Sequence, residues 1–198
     1  INGADHYPPL FPALINLLMP LFGHGLLAGL FISHLATLYA IKLLHELFSS
    51  WGGSQAAKYA TALLLISPGS FFLFSAYTES LFLVVTLLSL RCMKTGSWVW
   101  AGFWTFCAIL TRLQGAALLI PMSYLMWMDP PFLRKFSHWF GLFLPGAGGM
   151  FYLFLRSQQA IGEGLPLVEA PWRAHITLPG ESYIYAIKAL LSGHFIFV

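Results

Sequence analysis

Charge is scarce in this sequence. Asp, Glu, Lys and Arg make up 9% of its 198 residues, against about a quarter in an ordinary soluble domain. That shortage excludes a chain that wraps its surface in solvated ions. The net charge of +3 is small and dispersed, which argues against a nucleic-acid partner. Cysteine is also rare: Cys92 and Cys107 both lie in apolar runs, which argues against a disulfide or a metal site. Strict period-2 alternation is missing from the apolar runs, and so is the signature of a membrane β-barrel. No internal repeat, low-complexity tract or signal-peptide layout is visible. The chain opens on Ile1 and ends on Val198 inside an apolar run, so a piece of a longer chain is expected.

What is abundant is apolar surface. Hydrophobic residues make up 58% of the sequence and aromatics 17%, with a mean hydropathy of +0.75. Lipid offers exposed backbone groups no hydrogen-bond partners, so this composition predicts an all-α polytopic membrane protein. Residues 25–48 are the clearest span, longer than the roughly 20 needed to cross the hydrocarbon. A loop follows at 49–55, then an apolar helix at 56–67 that ends on the breaker Pro68-Gly69. A helix over 79–93 reaches about 22 Å, short of the ~30 Å core, so the segment before it is expected to dip below the membrane surface. Two short helices, 98–111 and 115–128, meet at Thr111-Arg112-Leu113-Gln114-Gly115. A loop at 129–138, a span at 139–155, a polar extracytoplasmic segment at 156–182 and a helix at 183–198 complete the layout. Residues 9–22 carry internal prolines and are short, which predicts an interfacial or re-entrant helix.

Basic residues orient this single transmembrane domain. Lys42, Lys58, Arg91, Lys94, Arg134 and Lys135 fall on one side in an up-and-down count, and that side is expected to be cytoplasmic. The opposite side then receives Glu79, Arg112 and the 156–182 segment. Each polar residue also has a simpler reading. Glu79 fits the first turn of a helix capped by Thr78, and Arg112 fits the last turn of a helix capped by Gly115. His34 reads as a satisfied packing histidine, Trp172 as an interfacial anchor and Asp5 as a solvated loop acid. Against these stands the cost of a carboxylate at membrane depth, several kcal/mol unless paired or hydrated.

The string Ser75-Ala76-Tyr77-Thr78-Glu79-Ser80-Leu81-Phe82, followed some thirty residues later by Thr111-Arg112-Leu113-Gln114-Gly115, resembles the PIG-V family of mannosyltransferases. Tyr7-Pro8-Pro9-Leu10-Phe11-Pro12 is similar to that family's Pro-rich stretch, and Gln158-Gln159 with Trp172 is similar to its later glutamine and tryptophan positions. The likeness runs along nearly the whole chain. It implies that the family's first helix, and the loop with its acidic residue, lie upstream of Ile1.

The resemblance implies a GT-C type glycosyltransferase of the endoplasmic reticulum or bacterial plasma membrane. Its donor would be a polyprenyl or dolichyl phosphate sugar, its acceptor a glycolipid or glycan, and its optional partner a further membrane subunit. Inverting transfer needs a carboxylate to take the acceptor's proton and a cation to hold the departing phosphate. Glu79, Arg112 and Asp5 are the expected catalytic residues, Glu79 either as the base or, with an aspartate upstream, as the group that orients the acceptor or Arg112. Tyr77, Thr78, Ser80, Gln114, Gln159, Trp172 and Arg173 are the expected substrate-binding residues, and no metal or other cofactor is required. The helices 56–67 and 79–93 would wall the polyprenyl tail. A transporter with a buried Glu/Arg site and a non-catalytic membrane subunit are the competing readings.

Overall fold

The structure, a computed structural model, describes residues 8–128 and 136–162. All regular structure among them is helical. In order come α1 (Leu10–Phe22), α2 (Gly25–Ile66), a 3₁₀ turn (Pro68–Ser70), α3 (Phe71–Phe74), α4 (Glu79–Lys94), α5 (Trp98–Thr111), a second 3₁₀ turn (Leu113–Leu118), α6 (Leu119–Met128) and α7 (Phe136–Gly162). The chain divides into two compact units, Ile1–Phe154 and Leu155–Val198. Of the second, only the stretch of α7 to Gly162 is described. α7 begins at Phe136 and runs on to Gly162, so residues 156–162 are helical where a polar segment was expected from 156. The rest of that segment and the 183–198 helix, with Asp5, Arg134, Lys135, Trp172 and Arg173, lie outside the described residues, as does the side chain of Gln159.

α2 is the one described helix long and apolar enough by itself to cross a membrane, and α4 forms with the short helices before it a pair bent by 95°. The expected loop at 49–55 is absent: helix runs up to and on from Gly53, whose φ of 78° and ψ of 178° break it. A straight helix would place Ile66 about 44 Å from Thr37, and the chain from Ile66 to Leu73 reaches back at most about 25 Å. Thr37 Oγ1 nevertheless lies 2.6 Å from the Leu73 carbonyl. α2 therefore reverses at Gly53, where only glycine adopts the backbone conformation without strain. Its outgoing arm, 25–52, is about 42 Å long and its returning arm, 54–66, about 20 Å.

Both arms pack on α4. Ala36, Ala40, Leu43, Leu44 and Leu47 of the outgoing arm meet Val84 and Leu87, and Ala60 and Leu64 of the returning arm join the same cluster. The sequence provides the stripe: these residues recur at three- and four-residue spacing along one face. A second cluster joins α4, α5 and α6 through Val85, Met93, Trp98, Ala101, Ala108, Met122 and Met126. α5 crosses α7 at Gly102 and Gly141, where a Cβ on Gly102 would stand 2.2 Å from the Gly141 carbonyl oxygen. Small residues at a crossing let helix backbones approach this closely.

Candidate functional site

The site grows from the α4–α5 hairpin. These helices run antiparallel about the turn at 95–97, and Ser89 Oγ, 2.8 Å from Thr105 Oγ1, holds their register. Moving about two to three turns away from that bond brings the first residue of α4 opposite the last of α5. There Arg112 Nη1 donates to Glu79 Oε1 at 2.9 Å. The two groups singled out in the sequence are thus in direct contact. Both are partly accessible, with 37% of the Arg112 side chain and 27% of the Glu79 side chain exposed. The second carboxylate oxygen, Glu79 Oε2, is buried and accepts no hydrogen bond among the described residues.

Local backbone geometry aims both residues: Glu79 does stand in the first turn of α4, as its simpler reading had it, but without the expected cap. Thr78 occupies the N-cap position of α4 with helical φ and ψ, and its side chain makes no capping bond. Arg112 is not in a last helical turn: it follows α5 in extended conformation, φ −155° and ψ 135°. Its N–H donates to the Ala108 carbonyl and its own carbonyl accepts from Gly115 N–H, each at 2.8 Å. Gly115 is no left-handed cap. It lets the 3₁₀ turn lie directly on α5, since a Cβ there would stand 2.5 Å from the Ala108 carbonyl carbon.

The segment before Glu79 is irregular, and hydroxyls satisfy its carbonyls. Ser75 Oγ donates to Phe71 O at 3.0 Å, Thr37 Oγ1 to Leu73 O at 2.6 Å and Ser33 Oγ to Tyr77 O at 3.3 Å. Ser33 and Thr37 are fully buried, and the sequence reading passed over both because they sit one helical turn apart inside the clearest span. Thr37→Val keeps the shape and removes the donor, leaving the Leu73 carbonyl at the open end of α3 without it. A loss of about 1–3 kcal/mol is expected, read as a fall of several degrees in Tm of the purified protein; an unchanged Tm would show that the bond does not hold this segment.

The other described site candidates flank the pair in sequence and differ in exposure. Ser80 is fully buried, and its Oγ has no partner among the described residues. Tyr77 is half exposed and packs edge-on against Phe72 with ring centroids 5.5 Å apart. Gln114 is exposed on the second 3₁₀ turn. His34 is satisfied locally: a ring nitrogen lies 2.7 Å from the Leu30 carbonyl. Cys92 and Cys107 are free thiols.

The opposite end of the same helices is cationic. Arg91 Nη1 is 2.9 Å from Glu46 Oε2, Lys42 Nζ is 4.0 Å from Glu46 Oε1, and Lys94 donates to Ser50 Oγ. About 18 Å of α4 separates Arg91 from Glu79. The chain matches no protein-family model, no curated protein and no solved structure.

Proposed function

We propose that the chain is a multi-pass membrane glycosyltransferase. It transfers a hexose, mannose by its resemblance, from a polyprenyl or dolichyl phosphate to a hydroxyl acceptor on the non-cytoplasmic side. The observation that carries this is the Glu79–Arg112 pair, in which one carboxylate oxygen is held by the guanidinium at 2.9 Å and the other is buried with no hydrogen-bond partner among the described residues. In the proposed step the acceptor oxygen bonds to the anomeric carbon as the carbon–oxygen bond to phosphate breaks. The acceptor proton passes to Glu79, and the phosphate departs with its new charge facing Arg112. A guanidinium suits that task because it offers parallel donors to phosphate oxygens.

The membrane setting is supported by large apolar side chains on the outside, with hydroxyls admitted to an otherwise apolar interior. The interior holds the hydroxyls of Ser33, Thr37, Ser80, Ser89, Thr105 and Thr111, whereas Leu17, Leu21, Leu63, Ile66, Ile120 and Trp127 are each at least 70% exposed. Apolar exposure of this extent in water marks an interaction surface, and spread over separate helices it suits acyl chains. The cluster of Lys42, Arg91 and Lys94 at one end supports placing that end in the cytoplasm, and with it Glu79 and Arg112 on the far side.

The test is transfer of labelled mannose from polyprenyl phosphate mannose by membranes containing the chain. Arg112→Gln is expected to lower turnover about 100-fold or more, with Arg112→Lys recovering part of it. Wild-type turnover in Arg112→Gln would remove the arginine from the mechanism. No transfer by the wild type, combined with solute flux sensitive to both variants, would point instead to a transporter.

A further inference from the structure

A cavity of about 590 Å³ opens at the cationic end, remote from Glu79, lined by Trp51, Leu90, Met93, Lys94, Thr95, Gly96, Trp98 and Leu125. Its volume falls in the range of small-molecule sites. Its character is divided. Leu90, Met93, Trp98 and Leu125 line it with apolar surface, of which Met93 and Trp98 are buried, and Lys94 and Thr95 line it with polar groups. Lys42 and Arg91 both face the carboxylate of Glu46. Lys94 differs: it donates to the neutral Ser50 hydroxyl, its Nζ lies 5.9 Å from the centroid of the Trp51 ring, and it has no carboxylate partner among the described residues. One cation with no carboxylate partner among the described residues therefore lines an apolar recess.

We propose that this cavity binds one acidic phospholipid of the cytoplasmic leaflet, with its phosphate at Lys94 and the upper part of an acyl chain along Leu90, Met93 and Leu125. The inference rests on the membrane reading above, and three features point to this occupant. A phosphodiester supplies the charge that Lys94 lacks. Trp51 and Trp98 are of the type that sits at headgroup level. A soluble anion would leave the apolar lining unused. The Lys94–Trp51 contact also favours an ammonium beside the recess, since the ring face attracts a cation.

The test uses the purified full chain reconstituted into vesicles of phosphatidylcholine with either phosphatidylglycerol or more phosphatidylcholine, each brominated in turn, and reads quenching of tryptophan fluorescence. Flotation of the vesicles first establishes insertion. Quenching by the acidic lipid is expected to need about fivefold less lipid than quenching by phosphatidylcholine, the preference one basic residue confers near an acidic surface. Lys94→Gln should abolish that preference, and Lys42→Gln, whose residue faces Glu46, should keep it. Equal quenching by both lipids, or an intact preference in Lys94→Gln, overturns the proposal and leaves the transferase reading standing. Displacement by millimolar inorganic phosphate overturns the lipid in favour of a free anion. Failure to float overturns this proposal together with the membrane reading.

Discussion

Glu79→Gln is expected to cut sugar transfer by at least about 100-fold, the lower bound for removing a general base, while the protein still inserts and folds. Glutamine keeps the side chain's length and an oxygen able to accept from Arg112, so the 2.9 Å contact survives in form. What disappears is the basic oxygen, and with it the destination of the acceptor proton. The alternative is that Glu79 merely neutralises Arg112 at the start of α4. The double variant Glu79→Gln with Arg112→Gln separates these. If the pair is only structural, removing both charges restores what one substitution lost, because no unpaired ion remains. If Glu79 takes the proton, the double variant stays inactive, whatever its stability. Transfer at the wild-type rate in either variant would rule the carboxylate out as base.

Gly115→Ala is expected to do the greatest structural damage of any single methyl group near the site. The added Cβ would meet the Ala108 carbonyl carbon at 2.5 Å, the Ile109 nitrogen at 2.6 Å and the Ala108 oxygen at 2.8 Å. All three are backbone atoms of α5, which no rotamer change can move. The 3₁₀ turn must lift away, and Arg112 moves with it, because its carbonyl accepts from the Gly115 N–H. A cost of about 3 kcal/mol is expected, at the upper end for overpacking, with Tm falling by about 6–12 °C in a chain of this size. Gly146→Ala is the control: nothing stands within 4 Å of its Cβ position, so its effect should be small or stabilising, since alanine favours a helix interior. Equal melting of the two variants would mean that close approach at Gly115 does not position Arg112.

The pairing of Glu79 with Arg112 was legible because its causes are local. Lys94-Thr95-Gly96-Ser97 reads as a tight connection, a tight connection between apolar helices makes an antiparallel hairpin, and the far ends of a hairpin of similar arms meet. The reversal in α2 was legible only as a location. Ser-Ser-Trp-Gly-Gly-Ser-Gln carries the small polar residues of a loop, yet these residues remain helical and a single positive φ at Gly53 makes the turn. The cap readings failed differently. Thr78 and Gly115 have the composition of caps, but neighbouring backbone, rather than intrinsic preference, decided what each does.

From the sequence alone came the helical class, the apolar surface, the places where helices break and the end of the domain that carries cations. These follow from composition and from spacing along one segment. Only the folded chain decided that Ser33 and Thr37 would supply the hydroxyls for the backbone at 71–77, that Gly102 would touch Gly141, and that a cavity would open beside Lys94. Contacts between residues so far apart along the chain depend on where α2 reverses and how closely backbones approach, and neither distance is written in any local pattern.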